Sequence, residues 1–217
     1  MMPSSSSPVF YLPHHAIRNE TSSTTKFRVV FDGFCKTTTG LSLNDALIVG
    51  PTLQENLFSI LIRFRTFKIA LTADITKMYW QVLIDSTQMS LQHIFWREFP
   101  DEPIKTFEFV TYDTSSASFL AIRALRKLME DNADSYPRAS QMALRDFYVD
   151  DLVTGADLVD EALSKKEITA LLQDEKFEFR KWSSNVLSFQ DQNSSGEPRE
   201  FILSSNKNSE KRTLGIA

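Results

Sequence analysis

The chain has 217 residues, 42% of them hydrophobic, with 24 Lys and Arg against 28 Asp and Glu. That length can bury a real core as one large domain or two intimate lobes, while a net charge of −4 argues against nucleic-acid affinity through bulk charge and leaves a local basic groove as the feature to look for. One cysteine, Cys35, excludes an intrachain disulfide framework and a cysteine zinc cluster, and no apolar run is long enough to cross a bilayer.

With no apolar signal region at the start, the chain reads as a soluble, cytoplasmic protein of a reducing compartment, without a signal peptide or a membrane partner. Residues 1–8, polar and Ser-rich, read as a disordered leader. Residues 9–12 predict a short strand ended by Pro13, and residues 26–32 a second, with basic residues alternating at its start. Residues 33–44 read as a loop turning at Gly40. Pro51 is expected to open a helix, along which Leu53, Leu57, Ile60, Leu61 and Phe64 recur at helical spacing. Arg63, Arg65 and Lys68 crowd its exit, either as a solvated helix end or as a nucleic-acid contact. Residues 68–73 predict a strand that ends at Asp74, followed by a turn through Thr76, Lys77, Met78 and Tyr79 into a helix.

Residues 81–84 and 94–97 are expected to be strands joined by a polar loop. A turn follows at 100–103, then a returning strand at 105–112. A long helix is predicted over 115–131, with Phe119, Ile122, Leu125, Leu128 and Met129 on one face. Residues 144–149 and 152–154 form two apolar, β-prone arms around Asp150 and Asp151, the pattern of a hairpin with both acids at its tip. Asp157 is expected to cap a helix to about Gln173, with Asp160 and Glu161 in its first turn and Leu158, Ala162, Leu163, Ile168, Leu171 and Leu172 buried. Residues 177–182 alternate as an amphipathic strand, 191–200 read as a flexible loop, and 212–216 form the last element. The order suits an α+β sheet backed by helices, with the acids on one edge.

Asp74 and the Asp150–Asp151 pair each sit at the end of a short apolar run. Hard divalent cations take carboxylate oxygens from rigid elements, and Mg²⁺ adds substrate phosphates. If the two strand ends converge, they could seat a pair of metal ions for an in-line phosphoryl displacement. An ordinary acidic turn is the commoner reading of an isolated Asp-Asp, but here the pair lies between two apolar half-strands and a second Asp ends another. His14, His15 and His93 lack partner ligands at useful spacing and read as structural or surface residues.

Several ordered strings carry a resemblance: Tyr11-Leu12-Pro13-His14-His15, Lys26-Phe27-Arg28-Val29-Val30-Phe31-Asp32, residues 40–47, Gly50-Pro51-Thr52-Leu53-Gln54, Leu71-Thr72-Ala73-Asp74-Ile75, Tyr148-Val149-Asp150-Asp151 and Phe177-Glu178-Phe179-Arg180-Lys181-Trp182. From about Tyr11 onward the chain resembles the reverse transcriptase domain of the Pol polyprotein of Bel/Pao-type LTR retrotransposons. The resemblance implies a right-hand polymerase core without its thumb: fingers over 9–66 and 82–111, palm over 67–81 and 112–217, ending at the start of the primer-grip hairpin. It implies an RNA-directed DNA polymerase that moves a nucleotide from dNTP to a primer 3′-hydroxyl on an RNA or DNA template. The partners it implies also include the RNase H and integrase of an intact element, and the location a virus-like particle.

By motif, Asp74, Asp150 and Asp151 resemble the catalytic carboxylates that share two Mg²⁺ ions, or Mn²⁺ in their place, with the Ile75 carbonyl assisting. Lys181 is similar to the palm lysine near the leaving pyrophosphate. Arg28, supported by Lys26, resembles the finger arginine that grips the triphosphate, and Tyr79 the bulky residue that selects dNTP over rNTP. Tyr112 and Asp113 fall in the nucleotide-facing motif, and Leu214-Gly215 resembles the primer grip. Two positions depart from the pattern: Asp113 stands where Gly is expected and Ser118 where Pro is. A side chain and a negative charge at 113 obstruct close approach by a nucleotide. A decayed, inactive remnant that keeps the fold, or a nucleic-acid-binding module, therefore stands beside the active polymerase.

Overall fold

A computed structural model describes residues 9–18, 20, 26–108, 114–158 and 164–186. In chain order the elements are β1 (His14–Arg18), β2 (Phe27–Phe31), α1 (Leu43–Ala46), α2 (Leu57–Phe64), β3 (Ile69–Ile75), β4 (His93–Trp96), β5 (Lys105–Glu108), α3 (Ala117–Asp131), α4 (Pro137–Asp146), β6 (Phe147–Tyr148), β7 (Asp151–Ala156), α5 (Ser164–Asp174) and β8 (Phe179–Ser184), with 3₁₀ turns at Met78–Gln81 and Met89–Gln92. No helix among the described residues is long and apolar enough to cross a membrane. The chain divides into two compact units, one of Met1–Pro51 and Tyr79–Ala121, the other of Thr52–Met78 and Ile122–Ala217.

In the first unit, β1 pairs antiparallel with β2, and β4 with β5. Leu12, Phe31, Leu43 and Ile94 form its buried centre, with Phe10, Val29, Leu47 and Leu91 packed around them. The expected strand over 9–12 is a single parallel bridge, Tyr11 to His93, and the regular strand begins only after Pro13. The proline marks a change of partner: the Leu12 amide donates to the His93 carbonyl at 2.8 Å, while past it the Pro13 carbonyl accepts the Asp32 amide at 2.9 Å. Proline has no amide with which to continue the first ladder. The strand expected over 81–84 is absent; 3₁₀ turns stand on either side, and Leu83 is 87% exposed, so the short apolar run has no sheet face to cover.

The second unit holds one antiparallel sheet in the order β6-β7-β3-β8. Central β3 buries Ile69, Leu71, Ala73 and Ile75 on one face, as strict alternation requires. Helix α4 packs on α5 and β7, and α2 on β7. Ile168, Leu171 and Leu172 of α5 are buried as expected, whereas Leu158 is exposed; Asp160, Glu161, Ala162 and Leu163 lie outside the described residues. Helix α3 begins in the first unit and ends in the second; its buried positions are Ala117, Ala121, Leu125 and Met129, and of the expected face Phe119, Ile122 and Leu128 are only half-buried.

Three local expectations are corrected. Residues 144–146, read as a hairpin arm, end helix α4, because Pro137 opens the helix and Ala139, Ser140, Met142, Ala143 and Asp146 are buried at helical spacing. Helix α2 starts at Leu57 rather than Pro51: the Asn56 side chain accepts the Phe58 amide at 2.8 Å, a cap that Pro51 cannot supply. Strand β8 starts two residues late because the Phe177 amide is spent on the Leu172 carbonyl, closing α5.

Candidate functional site

Strands β3 and β7 bring the acids together. Asp74 is the register partner of Asp151. Tyr148 pairs with Asp151, leaving Val149 and Asp150 as the two turn residues of the β6–β7 hairpin; the expected tip of Asp150 and Asp151 is thus one residue too far along, because Asp151 is taken into the ladder opposite Asp74. The Ile75 amide donates to the Asp150 carbonyl at 2.9 Å, so the strand carrying Asp74 also grips the turn. Val149 takes φ +57°, a left-handed conformation that two-residue hairpin turns use but normally give to Gly or Asn. In a β-branched residue it stores roughly 1–3 kcal/mol of strain. The Val149 amide donates to Gln54 Oε1 at 3.0 Å.

Lys181, on the other side of β3, places Nζ 3.2 Å from Asp74 Oδ2. It too has positive φ, +55°, near the register shift between β3 and β8 at Thr72 and Asp74. Burial, then the neighbouring charges of Asp150 and Asp74, push the Asp151 carboxyl up to about 6, with Lys181 opposing. Asp151 thus senses both other acids and the lysine. Among the described residues no three His, Cys, Asp or Glu side chains are drawn up as a ready metal cage.

Beneath the hairpin lies a buried ionic cluster that sequence reading missed. Asp146, 1% exposed, accepts from Arg63 Nε at 3.0 Å, Arg145 Nε at 2.8 Å and Nη2 at 2.7 Å, and Thr154 Oγ1 at 2.7 Å. Arg63 also donates to the Arg145 carbonyl and to Glu55. It is therefore neither of the expected alternatives, a solvated helix end or a free nucleic-acid contact. The available signal was an Asp in phase with the buried face of α4.

The other expected site residues lie elsewhere. Lys26 and Arg28, at the start of β2, are exposed in the first unit. Tyr79 belongs to that unit as well, with its hydroxyl 3.3 Å from Ser118 Oγ. Ile75 is 1% exposed. Tyr112, Asp113, Leu214 and Gly215 fall outside the described residues. His14 hydrogen-bonds the Leu12 carbonyl through Nδ1 at 3.2 Å.

No protein-family model and no curated protein matches the sequence. Solved structures do. The foamy viral protease-reverse transcriptase in complex with an RNA/DNA hybrid aligns at a TM-score of 0.57 and 14% identity over 82% of this chain and 21% of its own. The native protease-reverse transcriptase of prototype foamy virus aligns at 0.53 and 12% identity, over 78% of this chain and 20% of its own. This chain has a reverse-transcriptase-like fold. It spans about a fifth of the length of those two proteins, and at such identity the likeness establishes the fold.

Proposed function

We propose that this reverse-transcriptase-like chain is an RNA-directed DNA polymerase domain from the Pol polyprotein of a Bel/Pao-type LTR retrotransposon, its second unit the palm and its first the fingers. The observation that carries this reading is the direct pairing of Asp74 with Asp151, with Asp150 in the adjoining turn. The substrates are dNTP and a primer on an RNA or DNA template. The foamy viral relative bound to an RNA/DNA hybrid supports a nucleic-acid partner.

The donor set fits a hard divalent cation. It consists of oxygens alone, three carboxylates and a backbone carbonyl, and burial with the repulsion of its neighbours holds Asp151 up to about 6, a charge imbalance that a cation relieves. Asp74, Asp150 and Asp151, with the Ile75 carbonyl, would hold Mg²⁺ or Mn²⁺. Two bound ions would supply a lowered pKa for the primer 3′-hydroxyl and neutralise charge on the leaving pyrophosphate. Lys181 is a cation held beside Asp74, suited to meet that pyrophosphate and to return a proton to it. Arg28, with Lys26, would fork onto the triphosphate, and the Tyr79 ring would exclude a ribose 2′-hydroxyl.

A second reading is a folded element that binds nucleic acid without polymerising. The Asp113 and Ser118 departures favour it, and Ser118 here engages Tyr79 instead of stiffening the chain as proline would. Extension of oligo-dT on poly-rA separates the two. Incorporation of dTTP that Asp150→Asn abolishes supports the polymerase. No incorporation, even after Asp113→Gly with Ser118→Pro, rejects it, and salt-dependent primer–template binding then supports the second reading.

A further inference from the structure

We infer that Gln54 is a positioning residue for the Asp150 carboxylate: its side-chain oxygen holds the Val149 amide, and so keeps the turn that carries Asp150 in a left-handed conformation that valine disfavours. This rests on the metal-binding reading of the three carboxylates given above. Five observations support it.

Val149 has φ +57°. A valine there relaxes toward negative φ unless something outside the hairpin restrains it. Beside the Ile75 amide, which holds the Asp150 carbonyl, the restraint on Val149 itself comes from 95 residues away in sequence, the 3.0 Å bond from its amide to Gln54 Oε1. Residues 51–56 are not helical, and that strap is itself tied down, since Arg126 Nη1 on α3 donates to the Leu53 carbonyl at 2.8 Å. Packing does not do the same work. Gln54, Met129, Phe147 and Val149 line a cleft of about 20 Å³, room for roughly one water, so the packing around the valine side chain is incomplete. Rotation at Val149 moves Asp150 first, because Asp151 is already fixed in the β7 ladder opposite Asp74.

The test uses the full chain in four forms: wild type, Gln54→Met, Val149→Gly and the double variant, with Asp150→Asn as control. Methionine keeps the length and volume of glutamine and removes the acceptor. Two quantities are read, the Mn²⁺ dissociation constant by electron paramagnetic resonance and the thermal midpoint. Gln54→Met should weaken Mn²⁺ binding about three- to tenfold, the worth of one hydrogen bond, and lower the midpoint by about 2–5 °C. In the Val149→Gly background, where positive φ carries no steric penalty, the same substitution should change Mn²⁺ affinity less than about twofold.

Wild-type Mn²⁺ affinity in Gln54→Met overturns the inference. So does a loss of equal size in both backgrounds, which marks Gln54 as ordinary packing. If Asp150→Asn leaves Mn²⁺ affinity unchanged, it is the metal reading that fails. The thermal coupling between Gln54→Met and Val149→Gly then still decides whether Gln54 holds the turn: a midpoint loss that disappears in the glycine background supports it, and an additive loss rejects it.

Discussion

Asp74 on β3 and Asp151 on β7 stand directly opposite one another in the central sheet. Burial, then repulsion from Asp150 and from Asp74 across the ladder, raises the Asp151 carboxyl to about 6 from its ordinary 3.8. Its folded pKa is above its unfolded one, so the folded chain binds more protons between about pH 4 and 6. Stability from this group is therefore present below pH 4 and lost as the pH rises through about 6.

Asp151→Asn removes the charge that the site resists. The variant should be more stable than wild type at pH 8, by roughly 1–2 kcal/mol after allowance for solvent screening, and the advantage should vanish near pH 4. Urea unfolding across that range measures it. A variant less stable than wild type at pH 8 would show that Asp151 is held by favourable partners rather than strained by its neighbours.

The parts of the molecule legible in the sequence are those with a local period. Strand β3 alternates strictly, α3 repeats at three and four, and an apolar run flanks the acids on each side, so these two elements and a hairpin near the acids could be read in advance, while the position of its turn and the meeting of the acids could not be read from spacing. Helix α4 was hidden because its last turn, Leu144-Arg145-Asp146, runs without a break into Phe147-Tyr148, and β-prone residues dominate a short window. Strand β1 was hidden because His14-His15-Ala16-Ile17-Arg18 has no alternation of its own and exists only by pairing with β2. The Gln54–Val149 and Arg63–Asp146 bonds join positions 95 and 83 residues apart. Such polar pairs leave no periodic trace, and only the fold reveals them.

Lys181 separates catalytic from structural electrostatics. Its bond to Asp74 is largely exposed, with the lysine side chain 71% accessible, so Lys181→Ala should change stability by less than about 1 kcal/mol. The same change removes the cation that opposes the rise of Asp151. The Asp151 titration midpoint, followed by carboxyl carbon NMR, should then move upward from about 6. On the proposed proton-returning role, primer extension should fall about 100-fold or more. A downward or absent shift of the midpoint would remove Lys181 from the electrostatics of the site.

The Asp146 cluster should be among the costliest places to cut. Asp146→Ala strands Arg63 and the Thr154 hydroxyl against a buried cavity, which predicts a loss of about 3–5 kcal/mol in urea unfolding. Arg145→Ala should lose less, because its side chain is 40% exposed and Arg63 still covers the carboxylate. Equal losses would mean that both arginines are needed to balance the one acid.

Gly155 on β7 sets how closely β3 can approach. It pairs with Ala70, and a Cβ at this position would lie 2.4 Å from the Ile69 carbonyl oxygen and 2.6 Å from Phe67 Cβ. Strand propensity alone favours alanine over glycine here, so propensity and contact distance predict opposite signs. The contact should win, because a backbone oxygen cannot rotate aside as a side-chain tip does. Gly155→Ala should therefore destabilise the chain by about 1–3 kcal/mol, read as a lower thermal midpoint. Separating the strands also moves Asp74 away from Asp151, which weakens the repulsion that holds the Asp151 carboxyl up. The variant should thus show a lower Asp151 titration midpoint together with its lower stability. A more stable Gly155→Ala protein would mean that propensity governs this position and that the sheet yields to a methyl group.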